Sequence, residues 1–147
     1  MDGQIRELSG MITVLRDGES FYAEAAEKVS LPAYRYLFRR MSRTKQAIAN
    51  NLALEVEARG AQPPEGGSWV GSIRQCYTHC RAVLSSDKDA LFVIELEEVE
   101  DRIVQTFEQA LTTTSGRTRE IVETYLPEVL RNHQDMQGLK RSLAVVS

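Results

Sequence analysis

Acidic side chains occupy positions of this sequence where a helical core would need apolar ones. In one segment, steps of three and four residues place Glu97 and Glu100 among valine, phenylalanine and leucine. The same reading places Glu19, Glu55 and His133 on the apolar faces of three other segments. Removing an ionised carboxylate from water costs several kcal/mol unless a cation, a proton or a metal compensates it. These five residues are therefore the positions where chemistry is expected.

A divalent metal site is one hypothesis for this residue set. Carboxylate oxygen and imidazole nitrogen together suit iron, manganese or zinc, and bundle cores build such sites from inward-facing side chains. On this hypothesis the carboxylate ligands are Glu19, Glu97 and Glu100, His133 supplies nitrogen, and Glu55 contributes a further carboxylate.

An ion-pair network without metal is the alternative. Lys45 lies on the same predicted face as Glu55, and Lys45, Arg59 or Arg102 can neutralise the core acids. His133 then simply bonds a carboxylate. This alternative predicts a helical interaction or scaffold protein that homodimerises through exposed helix faces.

The elements that must position these residues are four long amphipathic segments. The first pattern spans residues 4–29, and Ser30-Leu31-Pro32 separates it from a second that ends near Arg59, before Gly60. A third opens at residues 85–87 and closes at 112–116, and a fourth runs from Arg117 to about Leu143. Pro127 predicts a kink or a delayed start in the fourth segment.

A shorter amphipathic segment over residues 68–84 follows the loop at 62–67. We expect it to be a crossover helix that lets the second and third long helices run parallel. No strand alternation, repeat or phosphate-binding glycine loop is present in the sequence. The prediction is an all-α four-helix bundle with a short crossover helix between helices two and three, forming one domain over residues 1–147.

Composition narrows the function classes. The chain has 147 residues, 27 % of them charged, and a net charge of −3. That balance gives no general attraction to nucleic acid or to an anionic membrane, and no apolar run approaches the roughly 20 residues of a membrane span. The first residues lack the basic and apolar regions of a secretory signal, so we expect a cytoplasmic protein.

Several longer motifs carry a resemblance to a known family. The runs DGESFYAEAAE, EVEARGAQPPEGGSWVGSIRQ, IELEEVED and NHQDM resemble uncharacterised bacterial ferritin-like four-helix-bundle proteins related to the YciE/YciF stress proteins. The resemblance covers nearly the whole chain and implies a ferritin-like fold and a stress-related role. More distantly it implies the ferritin and rubrerythrin superfamily, whose di-iron sites use single glutamates and Glu-x-x-His motifs.

The superfamily motif is only partly present. Glu19 and Glu97 match the single glutamates, and His133 matches one histidine. Leu52 and Leu130 stand where the two motif glutamates are expected, and Glu55 stands at the other histidine position. The resemblance therefore implies a reduced or mononuclear metal site, to which Glu100 adds a ligand, rather than a bridged di-iron centre.

A basic and aromatic cluster opens the second helix. Its members are Tyr34, Arg35, Tyr36, Phe38, Arg39, Arg40, Arg43 and Lys45. Because the net charge is negative, we interpret it as a solvated helix face or a subunit contact of a homodimer rather than a nucleic-acid site. No side chain is assigned a catalytic role, since the two histidines offer no oriented base, and metal-dependent oxidase activity is left open.

Overall fold

Over the residues that the structure describes, the chain folds into a bundle of four α-helices. A computed structural model describes residues 2–66 and 88–146, and over these ranges the helices are α1 (Asp2–Lys28), α2 (Pro32–Ala58), α3 (Lys88–Thr113) and α4 (Gly116–Val146). The prediction of an all-α four-helix bundle is confirmed. The predicted crossover helix over residues 68–84 lies outside the described residues.

Hydrogen bonds near the helix ends define the direction of α3 relative to α1 and α2. At the start of α3, the Asp89 carboxylate accepts hydrogen bonds from the backbone N–H groups of Ser30 and Leu31, at 2.8 and 3.0 Å. Beyond the end of α3, the backbone N–H of Ser115 lies 3.4 Å from the side-chain oxygen of Gln4. Helix α3 thus begins beside the turn between α1 and α2 and ends beside the start of α1. It therefore runs parallel to α2, as the sequence predicted.

The end of α2 is set by a glycine in the left-handed conformation. Gly60 has φ +81°, and its N–H donates to the carbonyl of Glu57 at 2.9 Å. The N–H of Ala61 donates to the carbonyl of Val56 at 3.2 Å. These two bonds form a Schellman motif, which satisfies carbonyls that a helix end otherwise leaves unpaired. The prediction that Gly60 terminates this helix is confirmed.

Helix α4 runs through its proline. It begins at Gly116 and continues as one α-helix past Pro127, so the delayed start does not occur. A proline within a helix removes one hydrogen bond to the carbonyl four residues earlier. That carbonyl belongs to Glu123, and both residues are exposed, so water can replace the lost donor.

Two of the predicted core positions, Glu97 in α3 and His133 in α4, lie at the edge of the buried face rather than within it. In α3 the fully buried residues include Leu96 and Glu100, whereas the Glu97 side chain is 14 % exposed and lies at the flank. In α4 the neighbouring Asn132 is buried, and the His133 side chain is 14 % exposed. Adjacent positions on a helix differ by about 100°, so a three-four pattern fits two neighbouring registers. Tertiary packing decides which of two neighbouring positions is buried.

Candidate functional site

The centre of the bundle holds a lysine, a glutamate and a tyrosine. Lys45 comes from α2, Glu100 from α3 and Tyr22 from α1, and each residue is at most 1 % exposed. The Lys45 ammonium lies 2.6 Å from Oε2 of Glu100, and the Tyr22 hydroxyl donates a hydrogen bond to the same oxygen. We call these three residues the core cluster.

Aromatic contacts complete the core cluster. The Lys45 ammonium lies 4.9 Å from the centroid of the Tyr22 ring, a distance at which the ring's electron-rich face attracts a cation. The Tyr22 ring meets Phe38 edge-on, with their centroids 5.8 Å apart. Because the phenol is held on both sides, its hydroxyl is directed at Glu100. The sequence analysis assigned no polar role to Tyr22.

Burial controls the electrostatics of the core cluster. Burial, followed by the charge of Glu100, raises the pKa of the Tyr22 phenol well above its ordinary value, so this phenol stays protonated and acts as a donor. The second oxygen of Glu100, Oε1, is buried and has no hydrogen-bond partner among the described residues. An unsatisfied buried polar atom costs about 1 to 3 kcal/mol. Both donors of the core cluster therefore converge on one oxygen of this carboxylate.

A glycine in α1 makes room for the lysine. A Cβ atom at Gly18 would lie 3.1 Å from Cδ1 of Ile103 and 3.4 Å from Cδ of Lys45. Gly18 therefore marks a close approach of α1 to the methylene chain of Lys45 and to Ile103. The adjacent Glu19 instead turns to the flank, where Arg16 lies 3.4 Å away.

A second charged group joins α3 to α4 at the flank of the bundle. Nε2 of His133 lies 3.1 Å from one oxygen of Glu97, and the Lys140 ammonium lies 2.9 Å from the other. Asp101 is a further neighbour, with its oxygen 3.8 Å from the imidazole. Partial burial acts to raise the pKa of Glu97, but hydrogen bonds from Lys140 and His133 outweigh it and lower this pKa. The bond to Glu97 raises the pKa of Lys140 in return.

Glu55 belongs to a third group, near the start of α4. Its two oxygens lie 2.9 Å from Arg117 and 3.6 Å from Arg59. Arg59 also donates to the hydroxyl of Thr118 at 2.9 Å. This group ties the end of α2 to the start of α4. Of the arginines involved, the sequence reading considered Arg59 and missed Arg117.

The five residues predicted as metal ligands do not converge. The core cluster contains Glu100, the flank group contains Glu97 with His133, and Glu55 and Glu19 each pair with arginine. Over residues 2–66 and 88–146, no three histidine, cysteine, aspartate or glutamate side chains form a group suited to holding a metal ion. Leu52, which stands where the superfamily motif has a glutamate, is fully buried. In this arrangement the five side chains do not come together as the reduced or mononuclear metal site that the resemblance implies.

Two surface grooves lie on either side of Leu54. One, of about 460 Å³, runs between α2 and α4 and is lined by residues including Asn51 and Tyr125. The other, of about 820 Å³, lies between α2 and the chain after it, towards Pro63. Neither is lined by a member of the core cluster, so neither groove gives a ligand access to it.

Fold and site together define a class: an all-α four-helix bundle protein with a charged cluster buried at its centre. Residues 4–113 match the family model described as a domain of unknown function, DUF2383, and the chain belongs to this family. The match contains the whole core cluster but ends before α4, so His133 and Lys140 lie outside it. A comparison with curated proteins finds no match. None of the described helices has the length and apolar character needed to cross a membrane.

Proposed function

We propose that this protein is a metal-free bundle of ferritin-like descent that acts as an interaction or scaffold protein and forms homodimers. One observation carries the metal-free part of the proposal: the ammonium of Lys45 lies 2.6 Å from Glu100, and both are buried at the bundle centre. In metal-binding bundles, inward-facing carboxylates are compensated by the metal ions that they hold. Here the compensating cation belongs to the chain itself.

The remaining predicted ligands support the same proposal. Lys140 holds Glu97, Arg117 holds Glu55, and Arg16 holds Glu19. A metal ion would have to displace each of these cations and then bring together carboxylates that now lie in separate groups. Both steps oppose binding, because the displaced ammonium of Lys45 would lose the counter-charge that offsets its burial.

The positions of the charged groups and the surfaces support a binding role. The core cluster is enclosed, and the two described grooves are open features along α2. Partners would therefore meet the outer faces of the helices rather than the centre. The stress-related role and the cytoplasmic location stay predictions, to be tested by expression profiling and by cell fractionation.

Elemental analysis of protein purified without chelator tests the metal-free state. It is paired with thermal melts in added iron, manganese or zinc for the wild type, Glu97→Ala and His133→Ala, with Glu123→Ala as an exposed acidic control on α4. The proposal expects substoichiometric metal and no metal-dependent shift in any of them. Stoichiometric metal with a melting shift lost in both site variants but kept in the control would refute it and establish the carboxylate and histidine site.

A further inference from the structure

Exposed apolar surface is concentrated on α2. The large apolar side chains that are exposed among the described residues are Leu31 at 51 %, Tyr36 at 73 % and Leu54 at 63 %. Leu31 immediately precedes α2, and the other two belong to it. Tyr36 and Leu54 are separated by about five helical turns, so they project from the same side of the helix.

The same side of α2 carries exposed charges of opposite sign at its two ends. Arg39, Arg40 and Arg43 are exposed in the first half, and Glu57 is exposed in the second. None of the four makes an ion pair with another residue of the described ranges, unlike Glu55, which Arg117 and Arg59 engage. We define the α2 outer face by seven exposed residues spaced alternately four and three apart: Tyr36, Arg40, Arg43, Ala47, Asn50, Leu54 and Glu57.

We infer that the α2 outer face is the homodimer interface, formed by two copies of α2 packed antiparallel about a two-fold axis at Ala47. This inference rests on the homodimer of the proposed function and names its surface. A two-fold contact must be self-complementary, since each patch meets its own copy. The order of the face, cationic then small then apolar and acidic, satisfies that condition.

The spacing along α2 places complementary groups together in this arrangement. With the axis at Ala47 and a rise of about 1.5 Å per residue, Arg40 of one copy lies about 4.5 Å along the helix from Glu57 of the other. Tyr36 lies about 6 Å along it from Leu54 of the other copy, within reach of a large aromatic side chain. At the crossing point, the small side chain of Ala47 allows the axes of the two helices to approach within about 8 Å of each other.

Other occupants fit the α2 outer face less well. An acidic peptide or a nucleic acid would satisfy Arg39, Arg40 and Arg43 but would also meet Glu57 and a chain of net charge −3. A basic partner would meet the opposite conflict in the first half. Only a ligand with charges in the reverse order matches both halves, and an antiparallel copy of α2 has that order.

Sedimentation equilibrium across a concentration series tests the inference by charge exchange. The wild type is expected to dimerise, and Arg40→Glu and Glu57→Arg are each expected to weaken dimerisation about tenfold or more, because like charges then meet twice across the axis. The double exchange Arg40→Glu with Glu57→Arg is expected to restore it. Matched reversals at Arg119 and Glu123, exposed on α4, are expected to change it less than about twofold.

Cysteine crosslinking locates the axis independently. In a chain with Cys76 and Cys80 replaced by serine, Ala47→Cys is expected to form an intermolecular disulfide under mild oxidation, because facing Cα atoms lie about 5 Å apart. Glu123→Cys serves as the control and is expected to stay monomeric on a non-reducing gel. A dimer that survives every charge reversal and gives no crosslink in the Ala47→Cys variant would overturn the interface while keeping the proposed homodimer. A wild type that stays monomeric throughout the series would overturn both.

Discussion

The core cluster makes its sharpest prediction for Lys45→Met. Methionine has similar length and fills the space of the lysine methylenes, so the main loss is the charge that compensates Glu100. The carboxylate must then stay buried without a cation or take up a proton. Protonating a glutamate at pH 7 costs about 1.4 kcal/mol for each pH unit above its reference value of about 4.3, which sums to about 3.7 kcal/mol. This value is an upper limit on the penalty when Glu100 escapes its buried charge by taking up a proton. It lies within the roughly 3 to 5 kcal/mol found when one member of a buried pair is removed.

The pH dependence separates this mechanism from a simple packing defect. At pH 5 the same protonation costs only about 1 kcal/mol, so most of the destabilisation of Lys45→Met should disappear on acidification. Urea denaturation followed by circular dichroism at the two pH values measures both differences. A second variant, Lys45→Met with Glu100→Gln, should recover at least half of the loss at pH 7. It should also lose the extra pH dependence, because the amide still accepts from Tyr22 but carries no charge.

Lys140→Met is the matched control for this experiment. Lys140 also pairs with a glutamate of α3, but its side chain is 43 % exposed. Exposed pairs contribute about 1 kcal/mol or less, so this variant should lose little stability at either pH. Equal losses in Lys45→Met and Lys140→Met, or a loss in Lys45→Met that does not change between pH 7 and pH 5, would refute the charge-compensation argument. Negligible loss in Lys45→Met at pH 7 would indicate that another cation, including a metal, compensates Glu100.

Three further predictions concern the same elements. Gly18→Ala should destabilise the protein by about 1 kcal/mol, because overpacking against Ile103 outweighs the gain in helix propensity. Gly10→Ala should stabilise the protein, because the added Cβ meets nothing within 4 Å. Urea midpoints with the opposite order would contradict the packing argument. Tyr22→Phe should leave the ultraviolet pH titration of the native tyrosines unchanged, because the raised pKa of Tyr22 keeps this phenol protonated while the other tyrosines ionise. Since the folded pKa exceeds the unfolded one, the contribution of Tyr22 to stability is lost as pH rises above about 10. Glu97→Gln should cost about 1 kcal/mol or less at pH 7, and this cost should shrink at pH 3. A lowered carboxyl pKa stabilises the fold fully above the unfolded value, and this stability is lost as pH falls through the folded value. A difference in denaturation free energy that does not change between these pH values would rule out the ion-pair origin.

Sequence reasoning succeeded where the signal was local. The ends of α2 follow from Pro32 and Gly60, whose backbone preferences hold in any tertiary context. The parallel course of α2 and α3 follows from the length of the connection between them. Lys45 was also recognised as a candidate partner for the core acids, because a cation on an apolar helical face needs a counter-charge as much as an acid does.

Local patterns were insufficient for the geometry of the site. Glu97 and Glu100 are one helical turn apart and appeared equivalent, yet one is at the flank with His133 and the other is fully buried with Lys45. Tyr22 gave no polar signal because its hydroxyl acquires a role only when α3 brings Glu100 to it. Partners from different helices cannot be paired from spacing, which fixes positions along one helix but not the rotation of one helix against another.

By itself, the sequence determined four amphipathic helices, their order and limits, and the presence of charged residues within or beside their apolar faces. These properties depend on interactions within a few turns of chain, and apolar periodicity and helix-end residues report them directly. The tertiary structure alone decided which acid is buried and which cation meets it. That choice follows from the rotation of α1, α2 and α3 about their axes, which is set by packing Gly18, Ile103 and the methylenes of Lys45 against one another.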